Sequence, residues 1–203
     1  MSPKQSAVQT TQTVPTSTKD FPLRRQARAL TAEQALEVAD GADYAVLSTC
    51  DLDGNPYGVP VSPVREGDHL FFHATGLPGG RKAANLSMNP RASLVFVGKA
   101  TTLPKWYSID FASTVMQGTA APVESEAEKA HAFALLLKRY APENSAERNQ
   151  VQMKVRGPYA AVWKFQIERV TGKARGAAKW EAGKSLGEVQ DMGPSAWLVG
   201  VPD

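Results

Sequence analysis

"YAVLSTCDLDGNPYGVPVSPVREGDHLFFHA", Tyr44 to Ala74, is the stretch that decides the fold. Tyr44 to Thr49 is short, apolar and rich in β-formers, and Asp51 to Gly54 (DLDG) is a turn. Tyr57 to Val64 (YGVPVSPV) reads as the return strand, placed at an edge or bulge by its prolines. Glu66 to Asp68 turns again into a strand over His69 to Ala74. Three consecutive strands with tight turns predict an antiparallel meander.

Working outward, Thr31 and Gln34 have the spacing of a capping box. They open a helix whose apolar face is Ala35, Leu36 and Ala39 and whose stop is Gly41. Arg81 to Met88 has helical composition and ends before Asn89-Pro90, and Ser93 to Val97 and Ser113 to Val123 read as strands. Ser125 and Glu128 suggest a second capping box, with Ala130, Phe133, Ala134 and Leu137 on one face. Lys138 and Arg139 suit the C-terminal end of that helix, and Pro142 limits it. A polar stretch without assigned structure follows, then a strand over Tyr159 to Ile167 with Val170 to Lys173 beyond it. About six strands with two or three separated helices argue for a mostly β, antiparallel α+β domain rather than an alternating α/β sheet. A small barrel would bury those strands without long edges.

Composition narrows the classes of function. The 203 residues suit one ordinary domain, and a net charge of +3 is too small to indicate nucleic acid. Arg24, Arg25 and Arg28 form the only basic cluster, without interleaved aromatics, and read as a solvated linker. Cys50 is the sole cysteine, which excludes an intramolecular disulfide and a cysteine-based zinc site. His69 and His73 lie on a strand-like run and are not a helical zinc pair, so no metal is expected. Residues 1–25 are expected to be a disordered tail, 26–176 the folded domain and 177–203 a glycine-containing extension. With no signal-peptide pattern and no bilayer-spanning stretch, no membrane partner is expected and the cytoplasm is the default location.

The chemistry concentrates in "FFHATGLPGGRK", Phe71 to Lys82. A strand delivers His73 and Thr75, a Gly/Pro loop follows, and a helix begins near Arg81. A helix N-terminus favours anions, and Arg81 and Lys82 add two full charges there, which together suit a phosphate monoester. The loop is not a Walker A sequence, since Arg81-Lys82-Ala83 stands where Gly-Lys-Ser/Thr is required, and there is no G-x-G-x-x-G after a parallel strand. Spacing alone leaves an exposed turn with two solvated cations as an equal reading. Trp106, Tyr107, Trp163 and Trp180 are candidates to wall a planar ring. Core packing is the commoner role for such aromatics, and Trp163 alternates with Phe165 and Ile167 as a core strand would. His69 reads as a residue at the start of its strand and His131 as a solvated group on a surface helix.

The run "LSTCDLDGNPYGVPVSPVREGDHLFFHATGLPGGRKAANLSMNPRASLVF", with "VMQGTA" and "FQIERVTGKARG", resembles the pyridoxamine 5′-phosphate oxidase-like family of FMN-binding split barrels. The histidine of "FFHA" and the closing "TGKARG" are most similar to its nitroimidazole-resistance branch. The resemblance implies a six-stranded antiparallel split β-barrel with peripheral helices, holding FMN at a homodimer interface. It places the FMN phosphate on Arg81 and Lys82 with Thr75 nearby, and Val59, Pro60, Val61 and Ser62 beside the isoalloxazine ring. His73 falls close to the flavin as the catalytic candidate, and Gln117 is a further flavin contact. The implied activity is oxidoreduction of a small organic, for instance nitroaromatic, substrate, with NAD(P)H as a candidate electron donor. The alternative is a protein that stores or senses flavin, haem or deazaflavin.

Overall fold

The computed structural model of the chain describes residues 22–76, 80–98 and 100–175. The tail expected over 1–25 falls mostly outside them, and the extension over 177–203 and Trp180 fall wholly outside. After a 3-10 turn at Gln26–Arg28 come β1 (Ala29–Leu30), α1 (Ala32–Gly41), β2 (Ala45–Cys50), β3 (Pro56–Val61), β4 (Val64–Glu66) and β5 (His69–Thr75). The chain continues through α2 (Arg81–Met88), β6 (Arg91–Val97), β7 (Thr101–Leu103), β8 (Ser108–Pro122), α3 (Glu126–Tyr140), α4 (Ala146–Arg156) and β9 (Ala160–Arg175). The α+β class and the mainly antiparallel sheet agree with the sequence. The expected six strands are the six long ones, β2, β3, β5, β6, β8 and β9, and three short strands join them.

The order across the sheet is β3-β2-β6-β8-β9-β5-β4, with β1 paired to β9 and β7 to β8. The β2–β3 hairpin forms as expected, in register from Cys50↔Pro56 to Ala45↔Val61. The second expected turn also forms, joining β4 to β5 from Glu66↔His69 to Val64↔Phe71, but the strand between the two turns is not continuous. The strand expected over 57–64 breaks at Ser62 and Pro63, and β4 pairs with β5 at the far end of the sheet. Proline offers no N–H for a ladder, so Pro63 is a natural breaking point. No ladder joins β3 to β4 among the described residues, which leaves the sheet open between them.

β9 is the seam of the molecule, pairing with β1, β5 and β8. Its register against β8 shifts between Gln117 and Gly118, leaving Glu168 without an opposite residue. Before the bulge Trp163, Phe165 and Ile167 face the core, and after it Val170, Gly172 and Ala174 do. Gly118 is required here, because a Cβ would stand 1.9 Å from the Gln166 carbonyl oxygen.

The main core packs Leu47, Phe72, Leu94, Phe96, Met116 and Phe165 on one face of the sheet. Helix α1 closes its end, with the full capping box of Thr31 and Gln34 and with Thr114 Oγ1 donating to the Ala35 carbonyl at 2.6 Å. On the opposite face Phe71, Val162 and Val64 receive Ala132 and Leu136 of α3. The buried stripe of α3 is therefore not the expected one: Ala130 and Ala134 are exposed. The second capping box is half formed, since Ser125 Oγ accepts from the Glu128 N–H but the Glu128 carboxylate accepts from Lys164 Nζ at 2.9 Å. Helix α4 lies in the stretch that sequence left unassigned. No helix among the described residues is long and apolar enough to cross a membrane.

Candidate functional site

Helix α2 is set on the sheet by its buried face. Asn85 Nδ2 donates to Thr49 Oγ1 at 3.0 Å, both groups being buried, and Leu86 enters the core. This aims the N-terminus of α2 at the end of β5. Gly80, its N-cap, provides no capping side chain, and the first turn carries no acid. The positive end of the helix is therefore uncompensated by its own residues. A Cβ on Gly80 would lie 3.6 Å from the Thr75 methyl, so the loop returns beside the strand it left. Its departure is fixed by the Gly76 N–H, which donates to the Tyr159 carbonyl at 2.8 Å. Leu77, Pro78 and Gly79 of the loop lie outside the described residues.

The two cations sit differently. The Arg81 guanidinium is exposed and stacks 4.7 Å above the Tyr57 ring, whereas half-buried Lys82 places its ammonium 5.6 Å from the centre of the Phe72 ring. Burial lowers the Lys82 pKa. His73 is affected by burial first and by the Lys82 charge second, and both lower its pKa. The residue is nevertheless exposed to solvent, so neighbouring protein mass rather than enclosure supplies the desolvation. The result is a neutral imidazole beside an anion-seeking helix end.

His73 and Ser62 line the same cavity of about 500 Å³, closed by Phe133, Leu136, Leu137 and Tyr140 of α3 and by Gln152, Met153 and Arg156 of α4. Of the apolar face expected on α3, Phe133 and Leu137 wall this cavity, and Phe133 also packs against the core under α3. The α4 residues escaped sequence reading. Ser145, whose Oγ accepts from the Arg148 N–H at 3.2 Å, was the one available signal of that helix.

The other predicted residues divide. Val61 is buried in the core, Val59 packs against it, and Pro60 is exposed on the edge strand, so of this run only Ser62 lines the cavity. Gln117 is elsewhere. With Ser48, Cys50, Ser93 and Arg169 it lines a groove of about 760 Å³. Gln117 pairs with Arg169 on β9 while His73 pairs with Val162, a separation along the strand of roughly 20 Å. Trp163 is buried in the core, as expected. Trp106 is half-buried in a 3-10 turn and Tyr107, at φ 46°, is 98% exposed; neither lines either cavity. His69 Nδ1 lies 3.2 Å from Asp68 Oδ1, and His131 is bound rather than merely solvated, its Nε2 lying 2.9 Å from Glu66 Oε1.

A family profile described as pyridoxamine 5′-phosphate oxidase matches residues 31–174, which include the sheet from β2 onward and both cavity helices. The chain belongs to that family. No curated protein matches it in sequence. Among solved structures, a candidate 5-nitroimidazole antibiotic resistance protein from Bacteroides thetaiotaomicron is similar at 23% identity and TM-score 0.59, covering 72% of this chain and 86% of its own. An FAD-binding protein from Mesorhizobium loti is similar at 21% identity and TM-score 0.54, covering 73% of this chain and 97% of its own. A haem storage protein from Vibrio cholerae matches at 18% identity and TM-score 0.53, covering 71% and 94%. At these identities the likeness is one of fold.

Proposed function

We propose that this chain is an FMN-binding oxidoreductase acting on a small organic molecule in the cavity under α3 and α4. The observation that carries the reading is the uncapped N-terminus of α2, with Arg81 and Lys82, set beside His73 and the mouth of an apolar cavity. A phosphate monoester accepts from the helix amides, from a bidentate guanidinium and from the ammonium together. The Thr75 side chain stands at the same place, its methyl beside Gly80. FMN, when bound, supplies the two-electron chemistry. The chain's residues bind its phosphate, keep water from the apolar wall, and hold a proton. The neutral imidazole of His73 has one N–H to donate and one lone pair to accept, which suits proton exchange with a substrate near neutral pH.

Gln117 adds a condition. It lies too far from His73 to touch the same ring within one chain, so its role as a flavin contact requires a second copy. The reading therefore includes a homodimer with the flavin between copies.

The test is the affinity of Arg81→Ala/Lys82→Ala. Removing two charge-assisted contacts at about 1.5–3 kcal/mol each should weaken FMN binding at least tenfold per residue while leaving riboflavin unchanged. Unaltered FMN affinity would remove the phosphate assignment. The visible spectrum of the purified protein decides between flavin bands and a haem Soret band. Sedimentation of the same samples decides the shared site: a monomer that binds FMN stoichiometrically would refute it.

A further inference from the structure

The α3/α4 cavity also constrains what enters it, on the reading above that this cavity is where small-molecule chemistry takes place. None of its 12 lining residues is an aspartate or glutamate, and its one permanent charge is Arg156. The Lys82 charge is felt at His73 on its rim. The exposed Arg156 side chain makes no hydrogen bond or ion pair with any described residue, so its guanidinium is uncommitted among them. Tyr140, in contrast, already donates its hydroxyl to the Pro63 carbonyl at 2.7 Å. Gln152 stands one helical turn before Arg156 and lines the same cavity, which puts an amide and a guanidinium on one face of α4.

Across from them the wall is apolar, made by Phe133, Leu136 and Leu137, with Met153 on α4 beside Gln152. Phenylalanine and methionine favour a flat aromatic body through ring and sulfur contacts. A single guanidinium with one neutral donor matches a monoanion held through two oxygens. We infer that this cavity selects a small aromatic carboxylate, with its ring between α3 and α4 and its carboxylate on Arg156 and Gln152. Arg156 is then a substrate-binding residue set by α4, separate from the cations at α2.

The test uses calorimetric binding of benzoate and of its neutral isostere benzamide to the full chain, with and without FMN. Benzoate should bind at least tenfold more tightly than benzamide, and Arg156→Gln should abolish that difference. Arg156→Lys should keep part of it, because a point charge survives without the fork. FMN affinity should be the same in wild type and Arg156→Gln. Equal binding of the two probes by wild type would overturn the inference, as would unchanged benzoate binding by Arg156→Gln. Loss of FMN but not riboflavin affinity in Arg156→Gln would also overturn it, since the arginine would then serve the cofactor phosphate. A protein that binds no flavin but discriminates the probes through Arg156 leaves the inference standing and defeats the flavin reading instead.

Discussion

Helices α3 and α4 wall the same cavity, but only one of them is built into the protein. Helix α3 buries Ala132 and Leu136. Its first turns are tied by Glu128 to Lys164 and by His131 to Glu66. Its last turn is tied by Arg139, which donates to the Asp40 and Ala42 carbonyls at 2.7 Å each, and by Tyr140 to Pro63. Helix α4 buries no residue, and its Val151 and Val155 are 63% and 55% exposed. One wall is fixed by side chains that reach backbone carbonyls of other elements. The other rests on its own propensity, its Ser145 cap and partial cover from Met153. In a binding cavity this separates a reference surface from an adjustable one.

The contrast can be broken at Arg139. Its guanidinium satisfies two carbonyls at the end of α1, so Arg139→Ala forfeits two charge-assisted bonds and leaves both acceptors unpaired. Urea denaturation should show a loss of about 2–4 kcal/mol. A loss below about 0.5 kcal/mol would mean that α3 is no better anchored than α4.

A smaller effect should appear at His73, which lies beneath both helices. Its pKa is held below the ordinary 6.5 first by burial and then by Lys82. Above pH 6.5 the imidazole is neutral in folded and unfolded chains alike, and its contribution to stability is fully present. As pH falls below that value the unfolded chain takes up a proton that the folded chain resists. Stability therefore declines until the folded pKa is passed. An NMR titration should place the His73 midpoint below the ordinary value. Lys82→Met should raise it only part of the way back, because burial, the larger cause, remains. A midpoint at or above the ordinary value would remove the enclosing role of the two helices.

The smallest expected effect sharpens the comparison from the other side. Val151→Ser on α4 should change stability by no more than about 0.5 kcal/mol. Hydrogen exchange should show α4 amides opening locally while those in the middle of α3 follow global unfolding. Protection of α4 equal to that of α3 would show that the two walls behave alike.

The same contrast explains what could be read from the sequence. Helix α3 announced itself through Ser125, its apolar content and its terminal cations, yet its buried stripe was misplaced. Apolar residues surround much of it, and the choice among them was made by Phe71 and Val162, far away in the chain. Helix α4 was not legible because Val151, Met153 and Val155 recur every second residue, which is no helical stripe. His73, Thr75, Arg81 and Lys82 were legible because the loop keeps them close in sequence. Arg156 and Gln152 share a cavity with His73 only through the β5–β9 register, which pairs Thr75 with Ala160, just beyond α4. The departure of β4 to the far edge of the sheet was likewise decided by which strand received it, and Pro63 marked only the place.

At Glu168, which no residue of β8 opposes, a single codon separates the two halves of β9. Because the core-facing positions of β9 change from odd to even at that residue, the strand carries two reading phases joined at one site. Losing that codon would set Ile167 beside Arg169 and make the alternation regular, with Val170, Gly172 and Ala174 still inward. Losing Thr171 would instead turn Gly172 and Ala174 outward, and α1 would lose the glycine whose missing Cβ lets Ala35 approach. A codon gained between Pro142 and Asn144, before the loosely held α4, would alter only slack. Length change in this chain is therefore cheap beside the cavity and at the bulge, and ruinous in the rest of the seam.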